Sequence, residues 1–288
     1  MESKTFLIYM SYLIKLFTAV LVLILFIAIF LPSILHRAGL HPSFDGKVLN
    51  LPGKRALIIA TNHGTLNAPN EIEGKPTGLL LSELSVPYFD FIKSGIEVDI
   101  ASIKGGLIPL ESIPYFIKTP EDKKFMKDRS LMGLLKNSIS IDDIDFTEYD
   151  IILISGGWGA AYDLGYSEVL GAKISEAYYQ SKAIIGGICH GVLGLIKAKD
   201  TEGNLLIAGR LMTGVTDKQI QELGISTTPL HPEEELRKAG VIFKSNIAFK
   251  DFFANLTVVD DERRFVTGQN QNAGHETAYK MMEIVANQ

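Results

Sequence analysis

The sequence of 288 residues has a single cysteine, Cys189. No intramolecular disulfide can form, and metal sites built from paired cysteines are excluded. Basic charge is not in excess either: 28 Lys and Arg stand against 33 Asp and Glu, a formal net charge of −5. The cations are scattered, so the chain carries no electrostatic footprint for nucleic acid. No internal repeat or long low-complexity tract interrupts it. Its six histidines include His36, His41, His63 and His275, which show no ligand spacing and read as structural or surface groups. The ten Tyr and fifteen Phe residues are spread like ordinary core.

Charge is absent altogether from Leu16 to Leu35 (LFTAVLVLILFIAIFLPSIL). At about 1.5 Å per residue, such a helix is roughly as long as a bilayer core is thick. A signal-peptide core is shorter, and no small-x-small cleavage site follows before His36-Arg37. A buried core helix would have a polar side, which this segment lacks. The expected organisation is an uncleaved anchor over 1–37, a linker over 38–54 and one α/β domain over 55–288. Lys4 and Lys15 precede the span, while Arg37, Lys47, Lys54 and Arg55 follow it. That small bias leans the domain towards the cytoplasmic side.

Beyond the linker, short apolar runs alternate with helical patterns. Ala56–Ala60, Val98–Ala101, Tyr149–Ser155 and Ala183–Ile188 read as buried strands. Helices are expected over Thr77–Lys93, Glu121–Lys136, Glu168–Ser181, Val192–Lys197 and Pro232–Ala239, with a last one from about Asn272. Shorter strand pieces fall at 205–208, 211–214, 241–243 and 256–259. This order predicts one doubly wound α/β domain, a mostly parallel sheet with helices on both faces.

Three segments carry candidate chemistry. In Gly186-Gly187-Ile188-Cys189-His190-Gly191 a strand runs into a helix through a glycine-flanked turn, which places the sulfur at the carboxyl edge of the sheet. A helix N-terminus there favours thiolate and offers amides to an oxyanion. Ser155-Gly156-Gly157-Trp158-Gly159 also follows a buried strand, and the amides of Gly157 and His190 make a candidate oxyanion hole. Glu83 shares a helical stripe with Leu80, Leu84 and Pro87, so its carboxyl points inward, where desolvation raises its pKa.

These pieces resemble the ThiJ/PfpI superfamily, of class I glutamine amidotransferase-like fold. The resemblance rests on Thr77-Gly78 with Ser82-Glu83-Leu84 and Pro87, Gly105-Gly106, Ser155-Gly156-Gly157-x-Gly159, Cys189-His190-Gly191, Thr213-Gly214-x-Thr216-Asp217 and Thr267-Gly268-Gln269-Asn270. It is closest to the glutathione-independent glyoxalases (glyoxalase III) and heat-shock chaperones. The resemblance implies Cys189 as nucleophile, Glu83 as its acid/base partner and His190 as a further catalytic group, acting on a small carbonyl compound such as methylglyoxal. It implies no metal, glutathione or other cofactor, and commonly a homodimer. The family's third triad acid falls at Ile220, so Asp217 or Glu222 is left to substitute, and the usual Gly-Gly-His-Gly reads Gly156-Gly157-Trp158-Gly159. Two other readings fit parts of the pattern. A membrane-tethered chaperone without turnover needs an exposed apolar patch. An amidotransferase-like or peptidase-like hydrolase would use His231-Pro232-Glu233, although Pro232 also reads as the first residue of a helix.

Overall fold

The structure is a computed structural model that describes residues 2–69, 71–225 and 227–288. Its centre is a seven-stranded sheet built from β1 (Arg55–Ala60), β2 (Glu97–Ser102), β3 (Ile139–Ser140), β4 (Ile151–Ile154), β5 (Ile184–Ile188), β6 (Thr257–Val259) and β7 (Phe265–Gly268). The spatial order is β6-β7-β5-β4-β1-β2-β3. All neighbours run parallel except β6, which pairs antiparallel with β7 at one edge.

Successive side chains of a strand point to opposite faces. Along β1, Ala56, Ile58 and Ala60 join one hydrophobic cluster, and Leu57 and Ile59 join the other. Strand β4 divides likewise, with Ile151 and Leu153 on one side and Ile152 and Ile154 on the other. A strand enclosed on both faces needs a continuous apolar run, which explains why these strands lack polar alternation. The first cluster is closed by Leu84 and Phe91 of α2 (Ser82–Lys93) and by Met281 and Val285 of the final helix, Gly274–Val285. The second is closed by Leu170, Ile174 and Ala177 of the helix Glu168–Gln180.

Helix α1 (Glu2–Arg37) stands apart. Leu21, Ile24 and Phe26 are about half exposed, and no part of its most apolar stretch is buried against protein. Its length and composition suffice to cross a membrane.

Several boundaries differ from those expected. The helix foreseen from Thr77 begins only at Ser82, because Leu79 is drawn into a parallel bridge with Leu110. Leu79 N–H donates to Pro109 O (2.8 Å), and Glu111 N–H donates to Leu79 O (2.9 Å). The expected helix 121–136 breaks at Asp128, whose extended backbone ends Pro120–Lys127 while its carboxylate caps the amides of Ser130 and Leu131. Leu205 makes only an isolated bridge with Lys199, residues 206–209 form turns, and β7 completes the sheet where no strand is expected. The segment after Cys189 is a 3-10 helix, Cys189–Leu195, in place of an α-helix over Val192–Lys197.

Candidate active site

Strand β5 delivers Cys189 to the carboxyl edge of the sheet, and the backbone there turns through a left-handed conformation, φ +58°. A side chain with a Cβ adopts this region at a cost, and such strain persists where the surroundings enforce it. The enforcing contact is close approach of chain to chain. A Cβ on Gly191 would lie 2.1 Å from Ile154 O, so only glycine lets the turn settle on β4. The thiol is buried, with Sγ 3.4 Å from His190 Nδ1.

Glu83, in the first turn of α2, reaches the same point fully buried. Its Oε2 accepts the Gly156 N–H at 2.9 Å. Its Oε1 has no well-formed hydrogen bond among the described residues, and the carboxyl lies against the Cys189 thiol. Burial first, and the nearby Glu111 charge second, push the Glu83 carboxyl well above the usual carboxylate range. Burial, reinforced by Glu83, likewise pushes the Cys189 thiol well up. Both shifts favour the protonated forms. This corrects the expectation of a helix-stabilised thiolate: a 3-10 turn gathers little dipole, and desolvation outweighs it.

Glu111, from the loop after Gly105-Gly106, brings a second carboxyl that the sequence reading missed. Its Oε1 accepts the Trp158 N–H at 2.5 Å, and burial raises its pKa to about 7. The Trp158 ring in turn lies on the His190 imidazole, centroids 4.8 Å apart. That imidazole is buried and held neutral, its pKa lowered to about 3 by burial and then by the proximity of His231. Its Nε2 has no hydrogen-bond partner among the described residues. Cys189, His190, Gly157, Trp158 and Glu111 share a cavity of about 220 Å³.

The DJ-1/PfpI family pattern matches residues 77–284, well over half of the chain. The chain belongs to the DJ-1/PfpI family. Glyoxalase 3 of Candida albicans is 28% identical over 219 residues, covering 72% of this chain and 89% of that protein. The glutathione-independent glyoxalase hsp3101 of Schizosaccharomyces pombe is 26% identical over 245 residues, or 81% of this chain and 96% of its own. Among solved structures, Rapid Encystment Protein 24 KDa of Francisella tularensis superposes with a TM-score of 0.72 at 30% identity, covering 81% of this chain and 99% of that one. Glyoxalase III from Candida albicans superposes with a TM-score of 0.70 at 25% identity, over 80% and 96%. Strand β1 precedes the matched residues yet pairs with both β2 and β4 inside the sheet.

Within this DJ-1/PfpI frame, Cys189, His190 and Glu83 come together, and the other candidates separate from them. Asp217 makes no contact with His190; its carboxylate sits 3.9 Å from His231 Nδ1, at the N-terminus of the helix Asp217–Leu223. Glu222 accepts the Asp251 N–H and is equally remote in its bonding. Ile220 is packed in the core cluster that includes Cys189 and Val215. The imidazole therefore has no carboxylate to orient it. Glu233 accepts the Asp217 N–H and pairs with Arg237, so His231-Pro232-Glu233 forms a helix start and no His–Glu pair. In the glycine loop the amides of Gly156 and Trp158 are committed to Glu83 and Glu111, the Gly157 amide also points at Glu83, and the His190 amide points at the Cys189 thiol. One signal did point to Glu111: it is the lone charge in Leu107–Ile117.

Proposed function

We propose that this protein converts a 2-oxoaldehyde such as methylglyoxal to the 2-hydroxy acid without glutathione, through a thiohemiacetal on Cys189, while α1 holds it at a membrane. The observation that carries the reading is the contact of the buried Glu83 carboxyl with the Cys189 thiol, which itself lines the cavity. The glyoxalase names of its relatives agree with it.

Neutral partners suit a desolvated pocket, where separating charge is costly. As Sγ bonds to the aldehyde carbon, Glu83 passes its proton to the aldehyde oxygen and receives the proton of the thiol. The same carboxyl then takes the C1 hydrogen as a proton while giving its own to the C2 oxygen, which forms an enediol. Returning a proton to C2 and removing that of the C1 hydroxyl leaves a 2-hydroxyacyl thioester. We assign to the amides of Gly157 and His190 the holding of its oxygen during attack by water, which releases the acid and restores the thiol. C1 is oxidised and C2 reduced within one molecule, so no outside oxidant or reductant is needed.

The test is lactate formation from methylglyoxal by the full chain in detergent, beside Cys189→Ala. Turnover that falls at least a thousandfold in the variant supports the assignment. An inactive native chain whose thiol is still alkylated would sink it.

A further inference from the structure

The helix α1 contains Pro32, which has no N–H to donate to the carbonyl of Ala28 one turn earlier. In water that carbonyl would be solvated; in a bilayer an unpaired carbonyl is costly. Here the hydroxyl of Tyr115 donates to Ala28 O at 2.7 Å. Ala28 lies nine residues before Arg37, or roughly 13 Å along the helix. With the Tyr115 ring in the membrane interface, the depth that tyrosine favours, Ala28 lies at that depth and Arg37 stands on its aqueous side. Tyr115 and its neighbour Pro114 are exposed in the described structure, as this placement requires.

The loop that carries Tyr115 also lines the Cys189 cavity. Glu111, Ile113 and Ile117 face that cavity, and Ile117 also borders a second cavity shared with Pro32, His36 and Arg37 of α1. Ile117 O is fixed by His41 Nε2 at 3.0 Å, just beyond the helix. Apart from its reacting groups, the Cys189 cavity is walled mainly by Leu80, Ile113, Ile117, Val215 and Phe252. A water needs roughly 10–15 Å³ of free space, so a cavity of about 220 Å³ takes a molecule well beyond three carbons. An aliphatic wall gives methylglyoxal almost nothing to bury, whereas each buried methylene strengthens binding roughly fourfold.

We propose that the Ser112–Lys118 loop lies in the bilayer interface and that the Cys189 pocket takes 2-oxoaldehydes bearing an apolar chain from the membrane. This rests on the 2-oxoaldehyde reaction assigned above and changes its substrate, not its steps. The long-chain aldehyde becomes the 2-hydroxy acid with one water consumed, and its carboxylate returns the product to the aqueous side.

The full chain in phosphatidylcholine vesicles is assayed with methylglyoxal and with a long-chain alkylglyoxal, beside Tyr115→Phe. The expected kcat/KM for the alkylglyoxal is at least tenfold higher. Tyr115→Phe lowers that ratio severalfold and leaves methylglyoxal turnover unchanged, because Tyr115 does not line the cavity. Turnover of methylglyoxal without preference for the long chain overturns the inference and leaves the reaction standing, as does a ratio indifferent to Tyr115→Phe. If neither compound reacts, the reaction assignment fails. Binding then decides the substrate class, through the fluorescence of the single Trp158 in Cys189→Ala: saturable quenching by the alkylglyoxal but not by methylglyoxal supports it, and none overturns it.

Discussion

The carboxylate of Glu111 accepts the backbone N–H of Trp158 at 2.5 Å, in the loop whose preceding residue, Gly156, donates to Glu83. Two buried carboxyls from different parts of the chain are thus held by amides of one glycine turn, beside one thiol. Each raises the proton affinity of the other groups: Glu111 acts on Glu83, and both act on Cys189. One turn thus fixes both carboxyls beside the thiol.

Glu111→Gln tests this arrangement through pH. The folded-state pKa of Glu111 is raised from 4.5 to about 7. Its contribution to stability is therefore full below the unfolded value and lost as pH rises through about 7. At about 1.4 kcal/mol per unit the loss is on the order of 3 kcal/mol. The Gln variant escapes it, so thermal unfolding at pH 5 and pH 8 should show the variant gaining on the native chain at the higher pH.

Glu83→Gln should separate nucleophilicity from turnover. Above the pH at which Glu83 gives up its proton its charge raises the Cys189 thiol, and the neutral amide does not, so at alkaline pH iodoacetamide should alkylate Cys189 faster in the variant than in the native chain. Proton shuttling is lost at the same time, and turnover should fall roughly 10²–10⁴-fold. A parallel fall in both would show that Glu83 only supports the fold.

Gly156→Ala should damage site and stability together. Its Cβ would sit 2.6 Å from Glu83 Oε2 and 2.7 Å from both His190 N and Ile188 O. Two of these are backbone atoms that cannot swing away, so an overpacking cost of about 1–3 kcal/mol is expected. Chemical denaturation reads the loss, and activity should disappear before unfolding does.

For the anchor, Leu21→Arg with Leu25→Arg places two charges mid-span, each costing about 2.5–3.5 kcal/mol in a bilayer centre. Neither residue is buried against the domain. The native chain should stay in the membrane pellet on alkaline extraction, and the double variant should appear in the supernatant with its fold intact.

The apolar helix, the buried strands and the Gly-Ile-Cys-His-Gly turn were legible in the sequence because each is a local signal: composition, continuous hydrophobicity, or a glycine pattern that a sharp turn requires. Cys189 and Glu83 could be named for the same reason, one by its turn and the other by its place on a helical stripe. What sequence could not supply is distance. Asp217 follows the Thr-Asp pattern, yet its helix directs it to His231, and Ile220 fills core where an acid was looked for. Glu111 enters the site only because a bridge between Leu79 and Leu110 aligns two segments about thirty residues apart. The thiolate expected at Cys189 is not favoured either, because the turn is a short 3-10 segment and burial raises the thiol's pKa. Burial and through-space charge belong to the packed chain as a whole, and only the tertiary structure decides them.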